Sequence, residues 1–504
     1  MRKIYYSIFL LGIMFTASCS KDFAEAEQRD AISDTKISKL AAFPESAMNL
    51  IESLEAGNYA NTAKSAIGGT TTHEDFGIKS IDIALDAMGE DLVFAAMSHF
   101  GFHYQHLFRY EDYRGSGMLY NNYAKLAHNA NLVMQFVYKS KPTSYKTDYA
   151  YGRALALRAY ANFNLLRYFG YNGLSHGYEY LDESTGNLVI FYERAPIDDM
   201  KAFIEKDLTE SLDILSNYSS VSKEILSKQA VAGIASRYYL YTNDWAKAQA
   251  FSLQALNNSL SAVNFKDLND GFSNIQNPDV LWGFDISAAN ATGYASFFSH
   301  MDSFNRGYGG TIGAYKMIDN SLYIQIDDKD LRKQWFNNQK DTLVSPSVGD
   351  VILPGGKGRI PLLANLKFYD KSTSFTGDYI YMRKSEMLLN FAEAAFEGGA
   401  TDKAIEALEI LMESRQKDYK ASSLSGNDLR DEIRKQRRIE LWGEGFNFSD
   451  LKRWNMGIDR KKKNSSHVYV PGADVKFEAG SEMLLFQFPI GEINANSKLR
   501  PQNP

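Results

Sequence analysis

Cysteine is almost absent from this sequence of 504 residues, in which Cys19 is the single example. A lone thiol forms no internal disulfide and offers a metal only one sulfur, so a disulfide framework and a cysteine-based zinc site are both excluded. Proline is also scarce, with 11 residues, and the chain contains no low-complexity segment. These shortages favour one compact body over several domains joined by linkers.

Long hydrophobic runs are missing as well. Residues 4–15 form a mostly apolar run of about a dozen residues, whereas a membrane-spanning helix needs ~20. Arg2 and Lys3 precede this run, and the small residues at 16–18 follow it. A positive start, a short apolar core and small residues in that order are typical of a cleavable secretory signal peptide. We therefore predict a signal peptide at residues 1–18.

Cys19 comes directly after those small residues, within "FTASCSKDF". This position resembles a bacterial lipobox, in which cleavage leaves a lipidated N-terminal cysteine, although Thr16 stands where leucine is usual. The alternative is an ordinary secretory signal with an incidental cysteine near the cut. We predict that Cys19 is acylated and anchors the chain to a membrane, with residues 19–38 as a flexible polar leader.

An excess of positive charge is lacking, since 55 Lys and Arg stand against 61 Asp and Glu, giving a formal net charge of −6. Nucleic acid is therefore not the expected partner. The G-x-S-x-G, H-E-x-x-H and P-loop motifs are absent, and we predict neither an enzyme nor a cofactor. Neighbouring acids such as Glu74-Asp75 and Glu90-Asp91 are interpreted as solvated surface pairs, with a glycosidase using two convergent carboxylates as an alternative.

Three histidines at i, i+4 and i+7 form the one pattern typical of a metal site. His99, His103 and His106 would share one face of a helix and present three imidazoles to a metal. Gly101 interrupts this helix, and "HFGFHYQHLFRY" reads equally as an aromatic-rich loop. We favour the loop and predict no metal.

Helical periodicity is abundant. Apolar residues at helical spacing predict ten helices, over residues 35–56, 78–94, 120–138, 148–168, 200–215, 229–241, 245–257, 381–397, 401–414 and 429–442. Residues 231–256 and 388–412 each contain two helices around a short polar turn, with alanines that let the helices approach closely. These segments predict helical hairpins of the tetratricopeptide (TPR) type. The predicted fold class is mainly α, with TPR-like helix pairs forming a helical platform from residues 39–256 and 380–454.

The helical pattern lapses over residues 257–379, which we call the irregular lobe; a C-terminal tail occupies residues 455–504. The irregular lobe is rich in Gly, Asn, Ser and aromatic residues and contains two candidate strands, at 280–284 and 365–369. Irregular segments of this length inside compact proteins are usually functional. Aromatic rings beside polar side chains suit sugars, although many of the rings are expected to fill the core.

The C-terminal helices carry charged residues bracketed by apolar faces. Charges on helices that enter a core must be paired, so we interpret these residues as structural ion pairs rather than catalytic groups. They are Arg383, Glu386, Glu393, Arg437, Arg438, Glu440, Glu444 and Arg453.

Three blocks carry a family resemblance: "YMRKSEMLLNFAEAAFEGG" (381–399), "RRIELWGEGFNFSDLKRW" (437–454) and "FQFPIGEINANSKLRPQNP" (486–504). Together with segments 73–93, 120–133, 153–170 and 271–287, they closely resemble the SusD/RagB family of nutrient-binding lipoproteins of Bacteroidetes outer membranes. The resemblance implies a helical body with a loop-rich lobe, an outer-membrane location facing outward, and no enzymatic activity. It also implies a SusC-like TonB-dependent transporter as partner and a glycan, or in some members a peptide, as ligand.

The resemblance places ligand in the loops of the N-terminal region and the irregular lobe. By position, the candidate ligand-binding residues are Phe102, Tyr104, Tyr294, Phe298, Phe304, Arg306 and Tyr308. Two tryptophans of the irregular lobe, Trp282 and Trp335, are not among them, and the segment around Trp282 looks structural. A TPR scaffold that binds a protein partner and no ligand is the remaining alternative.

Overall fold

The computed structural model describes residues 43–67, 72–140, 145–338, 344–345, 349–350, 360–372 and 374–504. The predicted signal peptide, the leader and Cys19 lie outside these residues. In the described part of the chain, no helix combines the length and apolarity required to cross a membrane. The chain is mainly helical, which confirms the predicted fold class.

Long helices dominate the first half of the body. Its elements are α1 (Pro44–Ala60), α2 (Ile78–Met88), β1 (Leu92–Phe94), α3 (Gly101–Tyr104), α4 (Arg114–Ser140), α5 (Tyr145–Phe169), β2 (Tyr178–Asp182), β3 (Asn187–Phe191), α6 (Ile197–Ile214), α7 (Lys228–Thr242) and α8 (Trp245–Ala255). Strands β2 and β3 form an antiparallel hairpin. Helix α5 packs between α4 and α6 and is buried along most of its length.

Short elements occupy the irregular lobe, and longer helices return after it. The lobe contains α9 (Phe265–Leu268), β4 (Val280–Phe284), α10 (Phe297–Met301), β5 (Lys316–Ile318), α11 (Asn320–Tyr323), β6 (Val344–Ser345) and β7 (Gly349–Asp350). The C-terminal part contains β8 (Tyr379–Arg383), α12 (Lys384–Glu397), α13 (Thr401–Glu413), α14 (Gly426–Glu440), α15 (Asn447–Arg453), β9 (Ile458–Asp459), β10 (Lys476–Phe477) and α16 (Ile490–Ala495).

Two-stranded antiparallel ladders join distant parts of the chain. Strand β1 pairs with β5, and β4 pairs with β8, so the irregular lobe is tied to both the N-terminal and the C-terminal helices. These pairings explain two wrong helix boundaries. The helix predicted over 78–94 ends at Met88 and is followed by β1, and the helix predicted over 381–397 begins only at Lys384 because β8 precedes it.

Of the two predicted strands, one is confirmed and one is wrong. Residues 280–284 form β4. Residues 365–369 form no strand, because the Asn365 side-chain amide donates to the carbonyls of Met301 (2.7 Å) and Phe368 (3.0 Å) and closes a local turn. Trp282 and Trp335 are each fully buried among other rings, so both are core residues.

Both predicted TPR-type hairpins are present. In the first, the Ser227 hydroxyl accepts a hydrogen bond from the Ala230 amide at the start of α7, and the Asp244 carboxylate caps α8. Asn243 adopts the left-handed conformation that the tight turn requires. Helix α8 then packs against α12, which pairs with α13 in the second hairpin, so the two hairpins stack.

A buried ionic network holds the C-terminal helices to the lobe. We call Arg332, Arg383, Arg415, Glu440 and Glu444 the ionic core. Both oxygens of Glu440 accept hydrogen bonds, from Arg383 (3.3 Å) and Arg415 (3.0 and 3.1 Å) among others, and Glu440 is fully buried. Glu444 accepts two hydrogen bonds from Arg383 (2.7 and 2.8 Å).

The interpretation of the C-terminal charges as structural ion pairs is confirmed by their partners. The five named charges outside the ionic core are paired as well. The pairs are Arg237–Glu386, Arg453–Glu393, Arg437–Asp450 and Arg438–Asp91. Because every carboxylate has a cation within hydrogen-bonding distance, the burial of charge is offset by pairing and by hydrogen bonds.

The interpretation of the acid pairs as solvated is wrong. Glu74, Asp75, Glu90 and Asp91 are each at most 6% exposed. Asp91 is paired with Arg438, and Asp75 accepts backbone N–H bonds from residues 66 and 67 at 2.9 and 3.0 Å. These acids therefore hold loops in place through hydrogen bonds and ion pairs. Two adjacent acids in a sequence do not reveal whether the fold provides them with such partners.

Candidate ligand-binding site

Four rings meet at the surface where the loops before α2 and α3 approach the irregular lobe. We call His73, His99, Tyr294 and Tyr308 the surface ring cluster. Tyr294 is 45% exposed, and the other three side chains are half-buried. Each ring belongs to a different loop: His73 precedes α2, His99 follows β1, Tyr294 precedes α10, and Tyr308 lies between α10 and β5.

Ring contacts and one short hydrogen bond fix this arrangement. His73 Nδ1 and the Tyr308 hydroxyl share a hydrogen bond of 2.6 Å. The ring of His99 stands edge-on to Tyr308, with centroids 4.4 Å apart. The rings of His73 and Tyr294 are nearly parallel, at 11° and 6.2 Å. The cluster thus presents aromatic faces and imidazole edges in several orientations.

A buried histidine supports the cluster from below. His300 is fully buried, and its ring stacks on Tyr308 with centroids 4.8 Å apart and an interplanar angle of 11°. Its Nε2 atom donates to the His73 backbone carbonyl at 2.6 Å, so one imidazole positions two members of the cluster. Burial holds the pKa of His300 well below its usual value, and the ring is neutral.

A tight loop positions Tyr308. The amide of Gly309 donates to the Ser299 carbonyl (2.8 Å), and the amide of Ala314 donates to the Tyr308 carbonyl (2.9 Å). A Cβ atom at Gly307 would lie 2.6 Å from the Ser299 carbonyl oxygen, so the loop approaches α10 as closely as only glycine permits. The Tyr308 ring is therefore held by backbone packing as well as by its hydrogen bond.

The carboxylate closest to the cluster is already paired. Glu74 accepts hydrogen bonds from Arg114 and from the Phe100 amide, and its Oε1 lies 3.8 Å from His99 Nδ1. Burial lowers the pKa of His99 more than the attraction of Glu74 raises it. The imidazole of His99 is consequently neutral near pH 7 and offers hydrogen-bonding atoms without charge.

Flat exposed rings next to neutral donors and acceptors are suited to a neutral polyhydroxylated ligand. The apolar C–H faces of a sugar pack on aromatic rings, while its hydroxyls bond to imidazole nitrogens and phenol oxygens. None of the four members of the cluster is a carboxylate, and the Tyr308 hydroxyl is bonded to His73.

Only two of the seven predicted ligand residues meet in this cluster. Tyr294 and Tyr308 lie with ring centroids 5.9 Å apart. Arg306 is exposed two residues before Tyr308. Phe304 is partly buried in a second apolar core, and its ring stands edge-on to Tyr369 with centroids 6.4 Å apart.

Phe102 is exposed but belongs to a separate group of rings. It is 44% exposed, and its ring centroid lies 5.0 Å from that of Phe108 and 6.5 Å from that of Tyr113. Arg114, which binds Glu74, also lies over the Phe108 ring at 5.6 Å. Phe108, Arg114 and Glu74 thus connect Phe102 to His99 of the surface ring cluster.

Two predicted ligand residues are core residues, so their assignment to a binding surface is corrected. Tyr104 and Phe298 are both 0% exposed. Tyr104 stacks on Phe94 at 4.5 Å, and its hydroxyl bonds His467 Nδ1 at 2.6 Å. Phe298 packs edge-on to Phe297 at 5.3 Å. No ligand reaches either ring without opening the core.

Sequence reasoning missed His73 and the supporting His300, and it placed His99 in an aromatic-rich loop without assigning it to the ligand site. Phe375, whose ring lies 5.6 Å from Tyr294, was also missed. No periodic pattern marks these residues, because they lie in loops or, for His300, in the five-residue helix α10, and they meet through long-range packing. The abundance of rings near residues 294–308 was the one usable signal.

The three histidines at helical spacing do not form a metal site. His103 packs on Phe108 (4.8 Å) and His106 on Phe477 (4.8 Å), and both are buried, unlike His99. Burial lowers the pKa of His103 to about 4. In the part of the chain that the structure describes, no group of three or more His, Cys, Asp or Glu side chains is placed to hold a metal ion.

Comparison with known proteins yields two family matches. Residues 362–504 match the SusD family, and residues 81–240 match a family described as "Starch-binding associating with outer membrane". Together the two segments span more than half of the chain. No curated protein sequence matches the chain.

Solved structures share the fold at low sequence identity. A SusD-like carbohydrate binding protein from Bacteroides vulgatus has a TM-score of 0.75 at 22% identity, covering 90% of this chain and 97% of its own. A SusD superfamily protein from Bacteroides thetaiotaomicron has a TM-score of 0.72 at 19% identity, with 90% and 99% covered. Another from Parabacteroides distasonis has a TM-score of 0.69 at 17% identity, with 90% and 98% covered.

Proposed function

This chain belongs to the SusD/RagB family, and we propose that it is a cell-surface binding protein that captures an oligosaccharide and delivers it to a SusC-like TonB-dependent transporter. The surface ring cluster is the observation that carries the binding part of this proposal. Its exposed Tyr294 ring and the neutral imidazole of His99 provide a stacking face and hydrogen bonds for a neutral sugar. The relative from Bacteroides vulgatus is a SusD-like carbohydrate binding protein, which agrees with this choice of ligand.

The proposed role is binding without chemical conversion of the ligand. Glu74, the carboxylate beside the cluster, is held by Arg114 and the Phe100 amide and is only 4% exposed. A glycosidase needs two carboxylates that flank the scissile bond, one of them protonated. The histidines and tyrosines of the cluster do not supply that pair.

Calorimetry against a panel of oligosaccharides and peptides tests the proposed ligand class. We expect saturable binding of at least one oligosaccharide and an affinity at least tenfold weaker for Tyr294→Ala, which corresponds to ~1.4 kcal/mol. Tyr192→Ala is the matched control, because Tyr192 is 48% exposed and lies outside the cluster. Binding of peptides alone would replace the glycan by a peptide, and unchanged affinity for Tyr294→Ala would refute the site.

The membrane part of the proposal depends on Cys19, outside the described residues. We propose that acylated Cys19 anchors the protein in the outer membrane with the body facing outward. Mass spectrometry of the mature N-terminus is expected to show a diacyl or triacyl cysteine, and Cys19→Ser is expected to release the protein from membranes. An unmodified Cys19 would contradict the anchor.

Co-purification tests the proposed partner separately. We expect the membrane-extracted protein to retain a TonB-dependent transporter, and we expect Tyr294→Ala to retain it equally because the ring cluster is assigned to the ligand. Recovery of the protein without any transporter under mild detergent would contradict delivery, while leaving ligand capture to be judged by calorimetry.

A further inference from the structure

A small basic cavity lies between α5, α7 and α15. Its volume is about 30 Å³, roughly twice the 10–15 Å³ that one water molecule needs. Five cationic side chains line it together with aromatic residues: Arg167, Arg237, Arg437, Lys452 and Arg453. None of these residues belongs to the surface ring cluster, so the cavity is independent of the proposed function.

Three of the five cations are fully matched by carboxylates. Arg237 makes two hydrogen bonds to Glu386, at 2.6 and 2.7 Å. Arg437 donates to Asp450 at 2.7 Å.

Arg453 is bound on two sides. It donates to Glu393 through both terminal nitrogens, at 2.5 and 2.6 Å, and to Asp450 at 2.8 Å. Asp450 therefore serves both Arg437 and Arg453. No carboxylate that lines the cavity is left for another cation.

The other two cations have only neutral partners among the described residues. Arg167 donates to the Asn164 side chain at 2.6 Å, and its Nε atom is buried without a hydrogen-bond partner. The Lys452 ammonium donates to the Arg167 backbone carbonyl at 2.7 Å. Both residues are near helix C-termini, where the helix dipole supplies at most about half a negative charge each. The lining therefore keeps an excess of positive charge.

Burial acts on Lys452 as expected for a cation without a counter-charge. It lowers the pKa of the Lys452 ammonium to about 7, and the neighbouring Arg167 lowers this pKa further. No carboxylate raises it. A lysine in a cavity of this size gains stability when an anion enters.

We propose that this cavity binds a small oxyanion, which Lys452 and Arg167 hold by charge-assisted hydrogen bonds. The anion supplies the acceptor that the Arg167 Nε–H lacks and the negative charge that Lys452 lacks. Tyr241, whose hydroxyl makes no hydrogen bond within the described part of the chain, lines the same cavity and is a further donor. A sulfate-like or phosphate-like ion and a carboxylate share this chemistry.

Titration calorimetry with sodium sulfate, exchanged for chloride at constant ionic strength, tests the proposal at pH 6. The full mature chain is expected to bind sulfate saturably, and Lys452→Met and Arg167→Met are each expected to weaken binding at least tenfold. Lys403→Met is the matched control, because Lys403 is exposed on α13. A parallel titration with acetate compares the affinities of the two anions. Tighter binding of sulfate would indicate a site for a tetrahedral anion, and tighter binding of acetate would indicate a site for a carboxylate.

The pH dependence separates specific binding from general salt effects. Between pH 6 and 9 sulfate keeps its charge and guanidinium groups stay protonated. Burial raises the pKa of Tyr168 to about 12 and also raises that of Tyr241, which leaves Lys452 as the group that titrates. Sulfate binding is expected to weaken over this range.

Thermal melting shows whether each variant is folded. The wild-type titration tests the proposal even if a variant fails to fold. Absence of saturable sulfate and acetate binding to the wild-type chain, or equal affinity in a folded Lys452→Met variant, would overturn the proposal.

Discussion

The ionic core and the surface ring cluster differ in how far their polar side chains are buried and paired. In the ionic core, Glu440 is fully buried and its carboxylate accepts hydrogen bonds from arginines. In the ring cluster, Tyr294 is 45% exposed and burial lowers the pKa of the nearby His99. The first arrangement fixes one conformation of the helices, and the second leaves ring faces and polar edges open to a ligand. In these two regions, paired charges stabilise the fold, whereas aromatic surface is open to a ligand.

The largest expected effect comes from breaking the ionic core. Glu440→Gln removes the negative charge that Arg332, Arg383 and Arg415 share, and we expect a loss of about 3–5 kcal/mol in the free energy of unfolding, because Arg415 is left buried without a carboxylate partner among the described residues. Denaturant unfolding measures it. Glu406→Gln, at an exposed position on α13, is the control and is expected to change stability by less than about 0.5 kcal/mol. A loss below about 1 kcal/mol for Glu440→Gln would show that the network is not needed.

Acid is expected to weaken the ionic core in a defined pH window. Although burial opposes ionisation, Arg383 and Lys367 hold the pKa of Glu444 at about 2. The folded-state pKa lies below the unfolded value of about 4.5, so the stability from this carboxylate is present above pH 4.5 and is lost as the pH falls toward 2. We expect this loss to reach about 3 kcal/mol.

Denaturant unfolding at a series of pH values from 6 to 2 measures that loss. Glu444→Gln cannot ionise at this position, so the stability of the variant is expected to fall less steeply over the same window. Parallel curves for the variant and the wild-type chain would mean that Glu444 is not linked to acid unfolding.

The smallest expected effect on stability belongs to the ring cluster. Tyr294→Ala removes an exposed ring from a loop, and we expect the free energy of unfolding to change by less than about 0.5 kcal/mol. Phe298→Ala, in the same lobe but fully buried, is expected to cost about 3–5 kcal/mol. Thermal and denaturant melts of the two variants compare them directly, and similar losses would erase the distinction between the two rings.

Helices with strong periodicity were predictable, whereas their ends depended on partners elsewhere. The TPR-type hairpins follow from local residues such as Asn243, which is in the left-handed conformation at the turn. The start of α12 did not follow, because residues 379–383 pair with a strand about a hundred residues earlier in the chain. The pairing of the C-terminal charges was predictable, since a helix that enters a core cannot leave its charges unpaired.

The site was predictable as a region and not residue by residue. Tyr294 and Phe298 lie four residues apart, yet one is exposed and the other is in the core. In irregular chain no period relates position to burial, so composition does not separate the two rings. His73 comes from a segment more than 200 residues away from Tyr294, and only the three-dimensional fold brings them together.

The central claim is that the surface ring cluster holds the ligand. The most direct measurement is a crystal structure of the protein with the oligosaccharide that binds most tightly in the calorimetric panel. We expect a sugar ring packed within about 4 Å of Tyr294, with hydroxyls bonded to His73, His99 or Tyr308. An oligosaccharide bound elsewhere, with the Tyr294 ring free, would contradict the claim.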